Sequence, residues 1–483
     1  MSEKTGENRL NIRGLIFAAI ILITGVFYFF ILGDGSYAMY ADSETFIEWS
    51  YGAPLKDGYV IYVNFLKTCR TIFGEGLYLQ AVNIIQCLLA FITAAALEEY
   101  VRKSYGLNYV MGYITFLAIC GVYGYSLPEV VASHYIVTEG LTFPLFILMS
   151  EFLLKYINER SFFYLAFVFG INFVMASIRP QMIFFLPILI LIVAVNEITV
   201  AAHRKEKVRA GNSAGDTTGQ TENSRRGRYG MMAAIPALIL LSVVCMYLTA
   251  ALTVTLFSGR NNSQYHEAVT GKVMCVMRPE DESFQEEGMK EGYRLLYEDT
   301  YERGGLTENF PSSLLEYEKV QRIIDDNMKK GINIIWSWYN ERYEPLERHD
   351  IHEFRNRIIA PELKAHKTEY IGVILRLLPS SLVSSIFIQP PQYRLICNLI
   401  AFGLYIAAIV LIYAAYSKGV DRKYYIPMSI SLIMIYGNAL LSNMVLYGQQ
   451  RYMVYCFGIF YMSFLIIYKG LKIRRSGSVS TEG

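Results

Sequence analysis

The chain has 483 residues, of which 53% are hydrophobic, 14% aromatic and only 18% charged. A soluble globular domain carries about 25% charged residues, so this composition excludes an ordinary soluble protein. The formal net charge of +2 says little, because in a membrane protein the distribution of Lys and Arg matters more than their sum.

Several apolar runs reach the roughly 20 residues that a helix needs to cross a bilayer. Membrane β-barrels would instead show alternating segments of about 10 residues. We therefore predict an all-α polytopic membrane protein with about ten transmembrane helices, an acidic first extracytoplasmic loop and a mainly helical extracytoplasmic segment. The predicted spans are 12–32, 77–97, 108–127, 138–157, 162–178, 180–200, 230–257, 394–416, 424–446 and 452–468. A further segment, 371–389, is either partly interfacial or an eleventh span.

Five regions follow from this reading. An N-terminal membrane module, 1–200, contains a candidate catalytic loop at 33–75, and a basic linker covers 201–229. A helix at 230–257 leads into the polar segment, 258–370, and a C-terminal membrane module covers 371–483. Within the polar segment, 312–330 and 332–343 read as two amphipathic helices. The second contains Trp336, Trp338 and Tyr339, which suit either packing against the membrane module or stacking on a sugar.

Lys and Arg cluster in alternate loops, which orients the chain by the positive-inside rule. We expect an integral plasma-membrane protein with both termini cytoplasmic. The acidic loop, the 128–137 loop, Arg179, the polar segment and Arg451 then lie on the outer side.

Seven cysteines are present, and most lie in apolar runs, where cysteine behaves as a small hydrophobic residue. Cys69 and Cys275 lie in predicted outside loops, so a disulfide between them stays an open alternative. No CxxC or zinc-type spacing occurs. His349-Asp350-Ile351-His352 is a weak metal motif, because it lies in a polar loop.

The acidic stretch from Gly33 to Trp49 follows directly on the first span, where carboxylates are costly without a partner or a role. Asp42 opens Asp-Ser-Glu-Thr, a typical helix start. It is either a helix cap or a general base that faces an acceptor hydroxyl. Glu44 and Glu48 share one helix face, which we expect to be solvated or to face a metal rather than to supply a second base.

Glu139 begins a span, where a carboxylate favours the helix N-terminus, and it is expected at the same membrane depth as Asp42. His134, five residues earlier, could act as a base or a metal ligand. We favour the simpler interpretation of His134 as an interfacial side chain.

Arg179 precedes a proline between two spans, and a lone arginine is expensive to place in lipid. A planar guanidinium suits phosphate, although a single arginine also extends readily to the headgroups. Arg451, in Gln449-Gln450-Arg451-Tyr452, is expected at a matching depth. Two such arginines favour a shared anionic ligand.

Together these motifs resemble the GT-C membrane glycosyltransferases, especially bacterial members related to protein mannosyltransferases and aminoarabinose transferases. The resemblance covers mainly 12–200 and, loosely, 371–468; the linker and the polar segment have no counterpart. Its motifs are Asp42-Ser43-x-Thr45-Phe46-Ile47, Gly58-Tyr59 ahead of Phe73-Gly74, Leu79-Gln80 with Ile85-Gln86, Thr138-Glu139-Gly140-Leu141, Arg179-Pro180 and Arg451-Tyr452.

The resemblance implies transfer of a sugar from a polyprenyl-phosphate donor to a glycan, lipid or protein acceptor, with membrane lipid as a partner and no nucleic acid. Asp42 would be the catalytic base, and the single displacement would invert the anomeric centre. Arg179 and Arg451 would bind phosphate, with Glu139, Tyr452, Glu44 and His134 as further substrate-binding candidates. A divalent cation is a possible cofactor, as in some members. The stretch from Tyr51 to Asp57 departs from the family pattern, which leaves the acceptor open.

Two other function classes remain in view. A cell-surface polysaccharide polymerase also has about ten spans, a large outside loop and functional outside arginines. A transporter would place charged or broken helices at the bilayer midplane. The charges of this chain are expected at the outer ends of the spans, which disfavours transport.

Overall fold

The computed structural model describes residues 12–32, 36–40, 42–52, 59–125, 131–211, 263–313, 316–342, 348–384, 394–445 and 453–479. Within these ranges the chain is helical and contains no strand, apart from one isolated β-bridge between Ala38 and Tyr135. This confirms the all-α class.

The α-helices of the N-terminal module are α1 Ile12–Val26, α2 Ser43–Ser50, α3 Val60–Phe73, α4 Tyr78–Tyr105, α5 Tyr109–Tyr125, α6 Glu139–Glu159, α7 Phe162–Ile178 and α8 Phe185–Gly211. Those of the polar segment are α9 Ser263–Met274, α10 Lys290–Glu302, α11 Tyr317–Arg342, α12 Arg348–Ala365 and α13 Lys367–Ser384. The C-terminal helices are α14 Arg394–Ser417, α15 Ile426–Val445 and α16 Phe457–Val479.

Seven helical segments in the described residues are long and apolar enough to cross a membrane. They are Ile12–Ile31, Tyr78–Tyr105, Glu139–Glu159, Pro180–Ile198, Ile396–Ser417, Ile426–Met444 and Val454–Arg475. Two predicted spans form shorter apolar helices, Tyr109–Gly124 and Phe162–Ile178. The predicted span 230–257 lies outside the described residues. A membrane-embedded architecture is therefore supported, whereas the count of ten stays a prediction.

Helix α6 is the centre of the membrane module. In its most apolar stretch 78% of the residues are buried within the protein, against 22% for the first span. The helix packs against α4 on one side and α7 on the other, while α5 packs against α16. Because α6 begins at Glu139, its first turn lies among neighbouring helices and its polar side chains need partners inside the protein.

The polar segment has an apolar core of its own, formed by side chains of α9 to α12 that include Tyr293, Leu296 and Trp338. Trp338 is 4% exposed, so it packs inside this segment rather than against the membrane module or a sugar. The prediction of two helices at 312–330 and 332–343 is wrong, because α11 continues unbroken through Gly331.

Side-chain hydrogen bonds fix the polar segment to the end of α15. The buried Lys272 donates from Nζ to the Asn443 carbonyl over 2.6 Å, and the Tyr370 hydroxyl donates to the Met444 carbonyl over 3.0 Å. The last carbonyls of a helix lack partners within the helix, so these bonds satisfy groups that would otherwise be costly to bury. Asn443 in turn donates from Nδ2 to Ser381 Oγ over 2.8 Å.

Two questions left open by the sequence are answered in part. The segment 371–389 is described as far as Ser384, where it forms most of α13, and it is not among the seven candidate spans. Cys69 and Cys275 are both buried free thiols, so they form no disulfide.

Candidate functional site

The acidic segment is paired to the loop that precedes α6. The Ala38 amide donates to the His134 carbonyl over 2.8 Å, and the Ile136 amide donates to the Ala38 carbonyl over 3.1 Å. These two bonds form the parallel bridge with Tyr135. Backbone pairing therefore brings the start of α2 towards the start of α6.

His134 connects three parts of the chain. Its Nδ1 lies 3.1 Å from the Ser36 carbonyl oxygen, and its Nε2 lies 2.9 Å from the Phe29 carbonyl oxygen. Phe29 belongs to a π-helical turn, Phe27–Ile31, at the end of the first span. Such a turn leaves carbonyls without regular partners. The ring is fully buried, so the interfacial interpretation of His134 is wrong and its role is to position the loop.

Asp42 occupies the N-cap position of α2, but its side chain makes no capping hydrogen bond. The simple capping interpretation of Asp42 is therefore wrong. Instead the buried Ser43 accepts a hydrogen bond at Oγ from the Tyr40 amide over 2.8 Å. Asp42 is partly buried, whereas Glu44 and Glu48 are exposed. Of these three carboxylates, Asp42 is therefore the one best placed to contact a ligand that binds at the protein surface.

The other end of α2 is held by Arg70, a residue that the sequence did not single out. Its Nη2 donates to the Ser50 carbonyl over 2.6 Å, and its Nη1 donates to Ser50 Oγ over 3.2 Å. Its guanidinium also lies 3.9 Å from the centre of the Tyr51 ring. A cation at a helix C-terminus is favourable, so this short helix is fixed at both ends.

Four aromatic rings lie along α2 and the start of α3. Phe46 meets Tyr59 and Tyr62 edge to face at 5.2 Å between ring centres, and Trp49 stacks on Tyr59 at 5.7 Å. Trp49 and Tyr59 remain partly exposed, while Phe46 and Tyr62 are buried. These ring contacts anchor α2 on α3 and leave part of the aromatic surface exposed.

Glu139 and Arg179 form a buried ion pair. Their side chains are 2% and 3% exposed, and Arg179 Nη1 contacts Glu139 Oε1. Arg179 also donates from Nε to Gln181 Oε1, and its Nη1 lies 3.5 Å from Thr138 Oγ1. The sequence predicted that both residues lie on the outer side but not that they are in contact. The pair fastens the start of α6 to the junction between α7 and α8.

Gln86 of α4 holds the loop before α6. It belongs to one of the motifs that carry the resemblance, but the sequence did not indicate this contact. Its Nε2 donates to the Ser133 and Tyr135 carbonyls over 3.0 Å each, and its Oε1 accepts from the Tyr62 hydroxyl over 3.3 Å. A methyl group at Gly140 would lie within 2.5 Å of this amide. Gly140 is therefore required because Gln86 occupies the space of a side chain.

Among the described residues, Tyr455 also lies close to the Glu139–Arg179 ion pair. The Tyr455 hydroxyl lies 2.8 Å from Thr142 Oγ1, one turn after Thr138, and its ring meets Phe143 at 4.5 Å. The candidates Arg451 and Tyr452 lie outside the described residues, as does Asp34. Whether Arg451 joins Arg179 therefore stays a prediction.

Burial shapes the electrostatics beside Asp42. It raises the pKa of the Tyr62 hydroxyl well above its ordinary value, and the Glu139 carboxylate adds to the rise. Tyr62 is therefore a neutral hydrogen-bond donor. Tyr62 also links α2, which begins after Asp42, with the start of α6, because its ring contacts Phe46 and the Glu139 charge acts on its hydroxyl.

In the described part of the chain, one group of three potential metal ligands lies together, and it is not in this region. It consists of Asp281, Glu362 and His366 of the polar segment. The side chains of His349 and His352 lie outside what the structure describes. The start of α2 thus combines a partly exposed carboxylate with an aromatic surface, and the start of α6 carries a neutralised buried arginine.

Comparison of the chain with protein-family models, with curated proteins and with solved structures gave no match.

Proposed function

We propose that this chain is an integral-membrane glycosyltransferase that moves a sugar from a polyprenyl-phosphate donor to an acceptor hydroxyl on the outer side of the membrane. The observation that carries the proposal is the setting of Asp42. Its carboxylate is partly buried at the start of a helix whose two ends are fixed by Ser43 and Arg70. General-base catalysis needs such a fixed carboxylate within reach of the attacking hydroxyl.

In the proposed reaction Asp42 accepts the proton of the acceptor hydroxyl. The hydroxyl oxygen forms a bond to the anomeric carbon of the sugar as the bond from that carbon to the phosphate oxygen breaks. The polyprenyl phosphate leaves with the bonding electron pair. One displacement inverts the anomeric centre.

The aromatic surface supports a sugar ligand beside this base. Trp49, about two turns along α2 from Asp42, is partly exposed and stacks on Tyr59, which is also partly exposed. The apolar face of a pyranose ring matches such rings, whose binding involves little loss of side-chain freedom. Glu44, exposed in the first turn of α2, is a further candidate for contact with sugar hydroxyls.

The proposal gives Arg179 a positioning role in place of the phosphate-binding role that the resemblance implied. Glu139 already neutralises its guanidinium inside the protein. We assign to Glu139 and Arg179, together with His134, the positioning of the loop that holds the acidic segment. The main contact with the departing phosphate then falls to Arg451, assisted by Tyr452, an assignment that rests on the sequence alone.

The proposal is tested in membrane vesicles that contain the full chain, supplied with radiolabelled polyprenyl-phosphate sugars. Asp42→Asn should lower sugar transfer by at least about a hundredfold, the usual contribution of a general base. Glu48→Gln, an exposed carboxylate of the same short helix, is the matched control and should keep most of the activity. Asp34→Asn should also harm transfer less than Asp42→Asn.

Two results would overturn the assignment. Transfer by Asp42→Asn equal to wild type would remove Asp42 as the base. Absence of transfer from every polyprenyl-phosphate sugar by wild-type vesicles, with the protein present and folded, would remove the proposed function itself.

A further inference from the structure

A buried cluster of two carboxylates and an imidazole lies in the polar segment, far along the chain from Asp42. Asp281, Glu362 and His366 are 2%, 0% and 7% exposed. His366 Nε2 lies 2.7 Å from Asp281 Oδ2 and 4.0 Å from Glu362 Oε2. All three potential ligand atoms lie within 4.8 Å of one another.

The spacing in the sequence explains why two of these three residues lie together. Glu362 and His366 are four residues apart at the end of α12, so their side chains project from the same face. Asp281 comes from a 3₁₀ turn, Pro279–Phe284, that packs against α12. The turn thus adds Asp281 as a third potential ligand to the pair formed by Glu362 and His366.

The cluster carries a charge that the described residues do not balance. With a neutral imidazole, the two carboxylates have a charge of −2. In the described part of the chain, the ion-pair partners of Asp281 and Glu362 are confined to His366. A buried pair of carboxylates is costly unless a cation or protons neutralise it.

A second observation points to a ligand. The Gln285 side chain is 5% exposed and lies beside the cluster, with Nε2 donating to Glu362 Oε1 over 2.9 Å. The Oε1 of the same amide is buried without a hydrogen-bond partner. Nε2 also donates to the Ile358 carbonyl over 3.3 Å, so the oxygen is the end of this amide left without a partner. A buried acceptor beside two carboxylates points to a donor or a cation that the described residues do not supply.

We propose that Asp281, Glu362 and His366 form a binding site for a divalent transition-metal cation of the zinc and manganese class, with Gln285 holding the Glu362 carboxylate in place. Ligands at 2.0 to 2.5 Å from one ion lie at most about 4 to 5 Å apart, which the cluster satisfies. The imidazole nitrogen favours zinc or manganese over the all-oxygen sites typical of Mg²⁺ and Ca²⁺.

The Tyr293 hydroxyl supports the ligands from behind. It lies 3.4 Å from Glu362 Oε2 and donates to the Arg278 carbonyl over 2.8 Å. Partners of this kind orient metal-binding carboxylates. Because His366 immediately precedes α13, a cation here would fix the angle between α12 and α13. This inference does not depend on the proposed transferase activity.

The test uses the full chain, purified in detergent without a polyhistidine tag. Metal content is measured by plasma mass spectrometry, and melting temperature is measured after chelation and after addition of Zn²⁺, Mn²⁺, Ca²⁺ or Mg²⁺. About one Zn²⁺ or Mn²⁺ per chain is expected. A hundredfold excess over the dissociation constant should raise the melting temperature of the chelated protein by about 5 °C.

Glu362→Gln separates a metal from protons alone. Glutamine has the shape of a protonated glutamate, so a cluster neutralised by protons would keep its stability or gain some. A cation site would bind metal at least about tenfold more weakly and lose the melting-temperature rise. Glu369→Gln, an exposed carboxylate paired with Arg278, is the control and should keep the metal. Absence of bound metal in wild type with no response to any added cation would overturn the proposal.

Discussion

Two buried groups of charged residues in this protein differ in whether their charges balance. The Glu139–Arg179 pair joins an acid to a base within the chain, so its charges cancel without a ligand. The Asp281–Glu362–His366 cluster brings two acids together with one imidazole, and its charge is unbalanced. The first arrangement fastens helices together, whereas the second requires something from outside the chain. Burial of a charged residue alone therefore does not identify a binding site; the local charge balance does.

The largest effect is expected where one partner of the balanced pair is removed. Arg179→Met should lower stability by about 3 to 5 kcal/mol, because Glu139 is left buried without its counter-charge. The double variant Arg179→Met, Glu139→Gln should regain at least half of that loss. Melting temperatures of the purified variants measure both. A double variant that loses the sum of the two single losses would show that the charges do not compensate each other.

Lys272 is an intermediate case, a buried cation whose hydrogen-bond partner is a helix carbonyl. Burial lowers its pKa to about 7 from an ordinary 10.5. Above the folded-state pKa the unfolded chain binds a proton that the folded chain does not, so stability should rise with pH until the unfolded-state pKa is reached. The rise between pH 7 and 8.5 should be about 2 kcal/mol.

Melting temperatures across this pH range measure the effect of Lys272. The variant Lys272→Met should lose the rise, and Lys364→Met, at an exposed position of α12, should keep it. An equal pH slope in wild type and Lys272→Met would show that Lys272 is not the titrating group.

His134→Ala is expected to have a smaller effect, about 2 kcal/mol, because it leaves the Phe29 and Ser36 carbonyls without their ring partner. Asparagine at the same position retains one donor and should lose less. Hydrogen exchange of residues 36–40 should accelerate in His134→Ala. Unchanged exchange there would mean that the backbone bridge alone holds the acidic segment.

The smallest effect concerns Gly140. The variant Gly140→Ala forces the Gln86 amide away from the Ser133 and Tyr135 carbonyls and should cost about 1 kcal/mol. The control is Gly170→Ala in α7, where a methyl group meets nothing within 4 Å. Gly170→Ala should be neutral or slightly stabilising, because alanine favours a helix. Equal melting temperatures of the two variants would contradict the role of Gln86.

The helices of the membrane module were predictable because their signal is local. An apolar run of about 20 residues identifies a span without reference to the rest of the chain, and the predicted 138–157 and 162–178 agree with α6 and α7 to within two residues. The break predicted in α11 shows the limit of this approach. Gly331 was compatible with a boundary, but it packs against Met274 and the helix continues.

The candidate site was predictable only as separate residues. Asp42, Glu139 and Arg179 carried a signal, since charge next to an apolar run is unusual. The partners of Glu139 and His134 lie 40 and 98 or more residues away in the chain, and no periodicity reveals them. The same holds in the polar segment, where the spacing of Glu362 and His366 was readable but the approach of Asp281 was not.

The bridge between the acidic segment and the loop before α6 also bears on biosynthesis. Ser36 emerges from the ribosome 98 residues ahead of His134, which holds it. At about 5 to 20 residues per second, the acidic segment waits roughly 5 to 20 seconds for its partner. During that time α4 and α5 are synthesised. Variants that slow the folding of α4 or α5 would therefore leave the acidic segment unpaired for longer, although they change no residue near Asp42.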